Sequence, residues 1–70
     1  MQDNLILLLK RNNLSQHWLA DFLDITDKQV GKKINGEAPF KSDEMFKISK
    51  YFDKPIEEIF LPRMYENGTL

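Results

Sequence analysis

The sequence predicts an all-α fold, a compact bundle of five short helices in one small domain. Three observations support it. Apolar residues recur at spacings of three and four along residues 3–60, as on the inward face of helices. No stretch alternates apolar and polar residues as a half-buried strand would. Residues that cap or end helices separate the apolar segments.

The first two helices are short and have clear ends. Helix one is expected from Asp3 to about Asn12, with Lys10 and Arg11 in its last turn, where cations suit the helix dipole. Ser15 is a good N-cap for helix two, which is expected to span Gln16 to about Leu23. The two residues that follow, 24 and 25, form a tight turn.

Helices three and four carry their own capping signals. Thr26 is expected to cap helix three, which ends at Asn35 and Gly36, because Asn-Gly favours a left-handed C-terminus. Ser42 is expected to cap helix four, which runs to about Phe52 with acidic residues in its first turn.

A fifth short helix closes the predicted domain. Pro55 suits the first position of a helix over 55–60, because proline lacks the amide hydrogen that is unpaired there. Residues 62–70 show no period and are expected to form a loose tail. The sequence therefore predicts one domain over residues 1–61 and a short tail.

The apolar positions that share a helical face form the expected core, together with anchors from the connecting segments. They are Leu5, Leu8, Leu14, Leu19, Ala20, Leu23, Ile25, Val30, Ile34, Phe40, Met45, Ile48, Phe52, Ile56, Ile59 and Phe60.

The composition argues against several function classes. The chain has no cysteine and one histidine, so the ligand set of a zinc site is missing. No apolar run approaches the roughly 20 residues of a membrane span, and no signal peptide is visible, so a cytoplasmic protein is expected. Neither a nucleophile–histidine pair nor a glycine-rich phosphate loop is present. We expect no enzyme, no cofactor and no small-molecule substrate.

Charge is unevenly distributed along the chain. The formal net charge is −1, whereas a nucleic-acid-binding domain is usually basic. Between residues 28 and 41, however, four lysines accompany one glutamate, which gives this segment a local charge of +3. The basic residues are thus concentrated in and after helix three.

Residues 15–36, "SQHWLADFLDITDKQVGKKING", have the layout of a helix-turn-helix. Two helices of eight and nine residues flank a short turn, and the small Ala20 lies where they would cross. Over residues 3–61 the chain resembles the Cro/C1-type helix-turn-helix family of phage and bacterial regulators. The matching residues are Leu14-Ser15-Gln16, Leu19-Ala20, Leu23, Ile25-Thr26, Val30, Ile34-Asn35-Gly36, Phe40 and "KISKYFDKPIEEIF".

Three positions depart from the family pattern. Asp24 stands where the family often has glycine, and aspartate tolerates the left-handed conformation better than most residues. Lys33 stands where an apolar residue is common. Gly31 lies inside helix three, where it costs roughly 1 kcal/mol relative to alanine, and it would allow close approach to helix two or to DNA.

The resemblance implies a lambda-repressor-like DNA-binding domain whose third helix enters the major groove. Val30 and Ile34 would then point inward and the lysines outward. The family reads bases at the positions of Asp27, Lys28, Gln29 and Lys32, and it uses that of Gln16 on the backbone. The DNA-binding or partner-facing set is therefore Gln16, His17, Thr26, Asp27, Lys28, Gln29, Lys32, Lys33, Asn35 and Lys41, with His17, Lys33, Asn35 and Lys41 expected at phosphates.

Two functions remain open at this stage. One is a phage-type regulator that binds double-stranded operator DNA, as a weak homodimer, in a lysis–lysogeny switch. The other is an antirepressor, like the phage modulator-of-repression proteins, that binds the DNA-binding domain of a cognate phage repressor. Asp27 is ambiguous between them, because it would read cytosine, suit the helix start or face a protein partner.

Helix one carries more apolar residues than one face needs. Leu5 and Leu8 are expected in the core, which leaves others for the core rim or for a partner, since exposed apolar patches mark contacts. Trp18 on helix two is open to the same two interpretations. The apolar partner surface would consist of Ile6, Leu7, Leu9 and Trp18.

Overall fold

Five α-helices follow one another in the computed structural model, which describes residues 2–60. These residues contain no strand, which confirms the all-α prediction. None of their helices is long and apolar enough to cross a bilayer. Met1 and the predicted tail, 62–70, lie outside the described residues, so the domain boundary stays a prediction. The helices are α1 Asp3–Arg11, α2 Gln16–Leu23, α3 Asp27–Asn35, α4 Ser42–Phe52 and α5 Ile56–Ile59.

The predicted caps of α2 and α3 are confirmed. The Ser15 hydroxyl accepts a hydrogen bond from the Trp18 amide at 3.0 Å. Thr26 and Gln29 form a reciprocal capping box: the Thr26 hydroxyl accepts from the Gln29 amide at 3.1 Å, and the Gln29 side-chain oxygen accepts from the Thr26 amide at 2.9 Å. Such boxes pair two amides that would otherwise be unsatisfied at a helix start.

Two predicted helix starts are wrong by one residue. Ser42 is already inside α4, and the cap position belongs to Lys41. The Lys41 amide donates to the Glu44 carboxylate at 2.8 Å, so an acid in the first turn satisfies the amide of the cap residue. Pro55 occupies the cap position of α5 rather than its first helical position.

The core lies between all five helices. The predicted anchors Val30, Ile34 and Ile48 are fully buried, and most of the expected positions join them. Leu9, which the sequence left open to the core rim or to a partner surface, is 3% exposed and belongs to the core, so its place in the partner surface is wrong. The buried apolar residues are Leu5, Leu8, Leu9, Leu19, Ala20, Leu23, Val30, Ile34, Phe40, Ile48, Ile59 and Phe60.

Polar contacts attach the outer helices to this frame. The backbone amide of Gln2 donates to the carbonyl of Ile34 at 2.9 Å, which joins the start of the chain to the end of α3. The Asn4 side-chain amide donates to the Glu58 carbonyl at 3.2 Å, which joins α1 to α5. The start of the described chain therefore contacts both the helix-turn-helix segment and α5.

Candidate nucleic-acid interface

The turn between α2 and α3 depends on a left-handed aspartate. Asp24 has φ 59° and ψ 45°, which confirms that it replaces glycine in this conformation. Its amide donates to the Asp21 carbonyl at 3.2 Å, and the next amide, of Ile25, donates to the Ala20 carbonyl at 3.0 Å. Ala20 is itself buried. These bonds fix the angle at which α3 leaves α2.

One side of α3 is buried and the opposite side is open to solvent. Val30 and Ile34 are fully buried, one turn apart, whereas Lys28 and Lys32 are exposed, also one turn apart. Residues four apart on a helix lie on the same face. α3 thus presents two neighbouring ammonium groups away from the core, as the sequence predicted.

Gln29, which was predicted to contact a base, also caps the start of α3. Its side-chain oxygen accepts the hydrogen bond from the Thr26 amide that closes the capping box. Bidentate pairing with adenine needs both the oxygen and the nitrogen of the side-chain amide. While the cap is closed, one of the two lone pairs of the Gln29 oxygen is occupied and the side chain is held in the orientation of the cap.

Asp27, the first residue of α3, is paired with His17 of α2. The Nδ1 atom of His17 lies 2.9 and 3.1 Å from the two carboxylate oxygens of Asp27. Its Nε2 atom lies 3.6 Å from Asp21, one turn further along α2. The hydrogen bond to Asp27, then the charges of Asp27 and Asp21, raise the pKa of His17 above its ordinary value. A basic group from α2 thus partly offsets the acid that begins α3.

Lys33 does not point toward solvent, which overturns its expected role at a phosphate. Its ammonium group lies 2.5 and 2.7 Å from the two oxygens of the Glu44 carboxylate. The two side chains are only 10% and 7% exposed. Lys33 follows Val30 by three residues, so it lies on the inward side of α3 and joins α3 to α4.

The remaining predicted contacts are exposed and belong to the ends of different helices. Gln16 is the first residue of α2, Asn35 is the last of α3, and Lys41 precedes α4. Thr26 is exposed, with its hydroxyl engaged in the cap. Contacts between these side chains and phosphates stay predictions.

The predicted apolar partner surface is broken up by the fold. Leu9 is in the core, and Ile6 and Trp18 are half-buried against it. Leu7 is 50% exposed and lines an open groove of about 340 Å³ between α1 and α5 with Arg11 and Glu58. The four residues therefore do not form a single exposed apolar patch.

Sequence reasoning missed a different exposed apolar region, on α4. Phe46 is 63% exposed and Tyr51 is 53% exposed. Tyr51 lies against two rings of α2, with centroid distances of 5.1 Å to Trp18 and 5.2 Å to Phe22. The spacing from residue 46 to 47, 50 and 51 is the signal that could have revealed an outward helical face.

Comparisons with known proteins agree with this geometry. The chain is similar to a transcriptional regulator from Listeria innocua, known from its crystal structure, with a TM-score of 0.78 and 25% identity. The similarity covers 84% of this chain and 55% of that one, so the present chain spans about half the length of that regulator. No curated protein matches the sequence. The model of the helix-turn-helix family matches residues 5–59, and the chain therefore belongs to that family.

Proposed function

We propose that the chain is a phage-type transcriptional regulator that binds operator DNA through α3. The observation that carries this proposal is the exposed pair Lys28 and Lys32 on a helix whose other side is buried through Val30 and Ile34. Membership of the helix-turn-helix family and the likeness to a transcriptional regulator support it.

The exposed face of α3 matches the requirements of a major groove. The groove admits one α-helix, and lysine donates hydrogen bonds to the O6 and N7 atoms of guanine. Lys28 and Lys32 lie one turn of α3 apart and would therefore favour two guanines at that spacing. Asp27 would accept from the amino group of cytosine once it leaves His17. A homodimer, weak or induced by DNA, would place two copies of α3 about 34 Å apart on one face of the duplex.

A mobility-shift titration tests the proposal with the duplex that precedes the chain's own coding sequence. We expect Lys32→Ala to weaken binding because it removes a contact to guanine, and to lower the slope of log affinity against log salt by at most about 0.9 because one positive charge leaves the interface. Lys10→Ala is the matched control, because Lys10 is an exposed lysine at the end of α1. Equal affinity and slope in all three proteins would exclude α3 as the binding element.

A second function, that of an antirepressor, is favoured by the charge of the same face. The whole chain carries −1, and the exposed Asp27 stands beside the two lysines, so the surface is of mixed sign. Such a surface complements another regulator's charged DNA-reading helix better than it complements a phosphate backbone.

Co-purification with the DNA-binding domain of a phage repressor distinguishes the two functions. Under the antirepressor proposal, a complex forms without DNA, and Asp27→Lys weakens it. Under the DNA-binding proposal, Asp27→Lys strengthens non-specific binding to duplex DNA, because it removes a repulsive charge. Asp27→Lys is therefore expected to weaken repressor binding under one proposal and to strengthen DNA binding under the other.

A further inference from the structure

A second surface lies outside the helix-turn-helix reading face, on α4 and the adjoining part of α2. Four exposed residues, Phe46, Lys47, Lys50 and Tyr51, share one side of α4 because they are spaced by three or four along the helix. Phe22 and Trp18 of α2 adjoin them through ring contacts with Tyr51. We call these six residues the α4 platform. None of them belongs to α3.

The aromatic rings of the platform are packed against one another. Trp18 and Phe22 are stacked, with centroids 5.0 Å apart and planes inclined by 9°. Tyr51 also meets Phe52 edge-on at 4.9 Å. Because aromatic pairs of this kind restrain each other, the platform is a preformed apolar surface and not a set of independent side chains.

The apolar groove in the platform has a cationic rim. Phe22 and Tyr51 form its walls, Lys47 and Lys50 complete its lining, and its volume is about 280 Å³. The Lys47 ammonium group donates to the Phe22 carbonyl at 3.2 Å and lies 5.4 Å from the centroid of that ring. Among the ion pairs formed within residues 2–60, none involves either lysine. The groove is therefore apolar at its base and has two unneutralised positive charges beside it.

We propose that the α4 platform docks an acidic segment of a partner protein, one that carries a large apolar side chain next to carboxylates. The apolar side chain would fill the groove between Phe22 and Tyr51 and cover Phe46. Its neighbouring carboxylates would pair with Lys47 and Lys50. Interfaces commonly combine aromatic anchors with charge complementarity of this kind.

Two other occupants fit the charges less well. A second copy docked through the same surface would bring the Lys47 and Lys50 side chains of both copies together, and like charges at an interface are unfavourable. Single-stranded nucleic acid stacks on aromatic rings but follows a continuous basic groove. Here, within the described part of the chain, Lys47 and Lys50 are the only basic residues that line the groove, so it offers two cations and no continuous basic track.

Selection of peptides from a displayed library of random dodecamers tests the proposal on the full chain. We expect the enriched peptides to carry at least two carboxylates beside an aromatic or large aliphatic residue. The double variant Lys47→Glu with Lys50→Glu should bind them at least tenfold more weakly. Lys10→Glu with Arg11→Glu is the matched control, because it reverses two exposed basic residues on α1 and should retain binding.

The intrinsic fluorescence of the chain reports the affinities of the selected peptides directly. Trp18 is the single tryptophan and lies in the platform, so its fluorescence should change as a synthetic copy of an enriched peptide binds. Phe46→Ser, at an exposed position, should weaken that titration without unfolding the chain. The proposal is overturned if no peptide is enriched, if the enriched peptides are not acidic, or if charge reversal leaves their affinity unchanged.

Two further outcomes would assign the platform to another occupant and overturn the proposal. Concentration-dependent dimerisation that Phe46→Ser abolishes would show that a second copy covers it. Binding of a twelve-nucleotide oligothymidylate that the double charge reversal abolishes would show a nucleic-acid surface. Neither experiment depends on operator binding by α3.

Discussion

Lys33 and Glu44 form an ion pair inside the protein that joins α3 to α4. The ammonium group contacts both carboxylate oxygens, and one of these oxygens also accepts the Lys41 amide. The Phe40 ring centroid lies 6.0 Å from the same ammonium group. The pair thus connects α3, the loop after it and the start of α4.

Breaking this pair should destabilise the fold. In Glu44→Gln the Lys33 ammonium keeps a side-chain oxygen but loses its counter-charge in a buried place, and such losses cost about 3 kcal/mol. We expect the free energy of unfolding in urea to fall by about that amount. Asp43→Asn is the matched control: it removes an exposed acid from the same helical turn and should cost about 0.5 kcal/mol. Equal losses in the two variants would show that the buried pair contributes nothing special.

The two glycines in the middle and at the end of α3 should respond oppositely to alanine. A methyl group added at Gly31 would meet no atom within 4 Å beyond the adjacent residues and the backbone of α3 itself, so close packing against α2 does not require this glycine. Gly31→Ala should raise the free energy of unfolding by about 0.5–1 kcal/mol through helix propensity.

Gly36 is the matched position, because it ends α3 with φ +86°. Alanine is strained in that conformation, so Gly36→Ala should lower the free energy of unfolding by about 1 kcal/mol. Thermal or urea unfolding of the two variants measures both changes in the free energy of unfolding. A loss of stability in Gly31→Ala would contradict the open surroundings of that residue. If that variant is more stable yet binds DNA more weakly, the backbone at Gly31 approaches the duplex.

The single histidine should titrate above its ordinary range. The hydrogen bond to Asp27, followed by the charges of Asp27 and Asp21, raises the pKa of His17. In Asp27→Asn this pKa should fall toward about 6.5, the value of an unperturbed histidine. One ring signal in a proton NMR titration reports it, since there is no other histidine. Asp43→Asn should leave the titration unchanged, and an unchanged pKa in Asp27→Asn would show that the pair does not form in solution.

The same pair gives stability a predictable pH dependence. A pKa that is raised on folding stabilises the protein fully below the unfolded value of about 6.5, and the contribution is lost as pH rises through the folded pKa. The difference in melting temperature between the wild type and Asp27→Asn should therefore be larger at pH 5.5 than at pH 8.5. A difference that grows with pH would have the wrong sign for this pair.

Local capping chemistry and helical spacing predicted most of the fold. Ser15, Thr26 and Gly36 are found at helix ends where their backbone chemistry predicts them. The inward pair Val30 and Ile34 followed from one-turn spacing, and it also placed Lys28 and Lys32 outside. These features depend on neighbours within a few residues, which is the range over which sequence patterns are informative.

The errors concern features that depend on tertiary packing. Leu9 shares the inward face with Leu5 and Leu8, but five consecutive apolar residues left several choices of face. Lys33 carries the charge of a surface residue, and only the approach of Glu44 from α4 explains its burial. The contact between His17 and Asp27 likewise requires the angle that Asp24 sets between α2 and α3. No local pattern marks these pairings.

The central claim is that the outward face of α3 binds the ligand of this domain. Backbone amide shifts in nitrogen–proton correlation spectra, recorded with and without a bound operator duplex, test it most directly. We predict the largest shifts in residues 26–32 and in Gln16 and His17. In Lys28→Ala and in Lys32→Ala these shifts should be smaller at the same duplex concentration. Shifts confined to α1, α4 or α5, with residues 26–32 unchanged, would contradict the account.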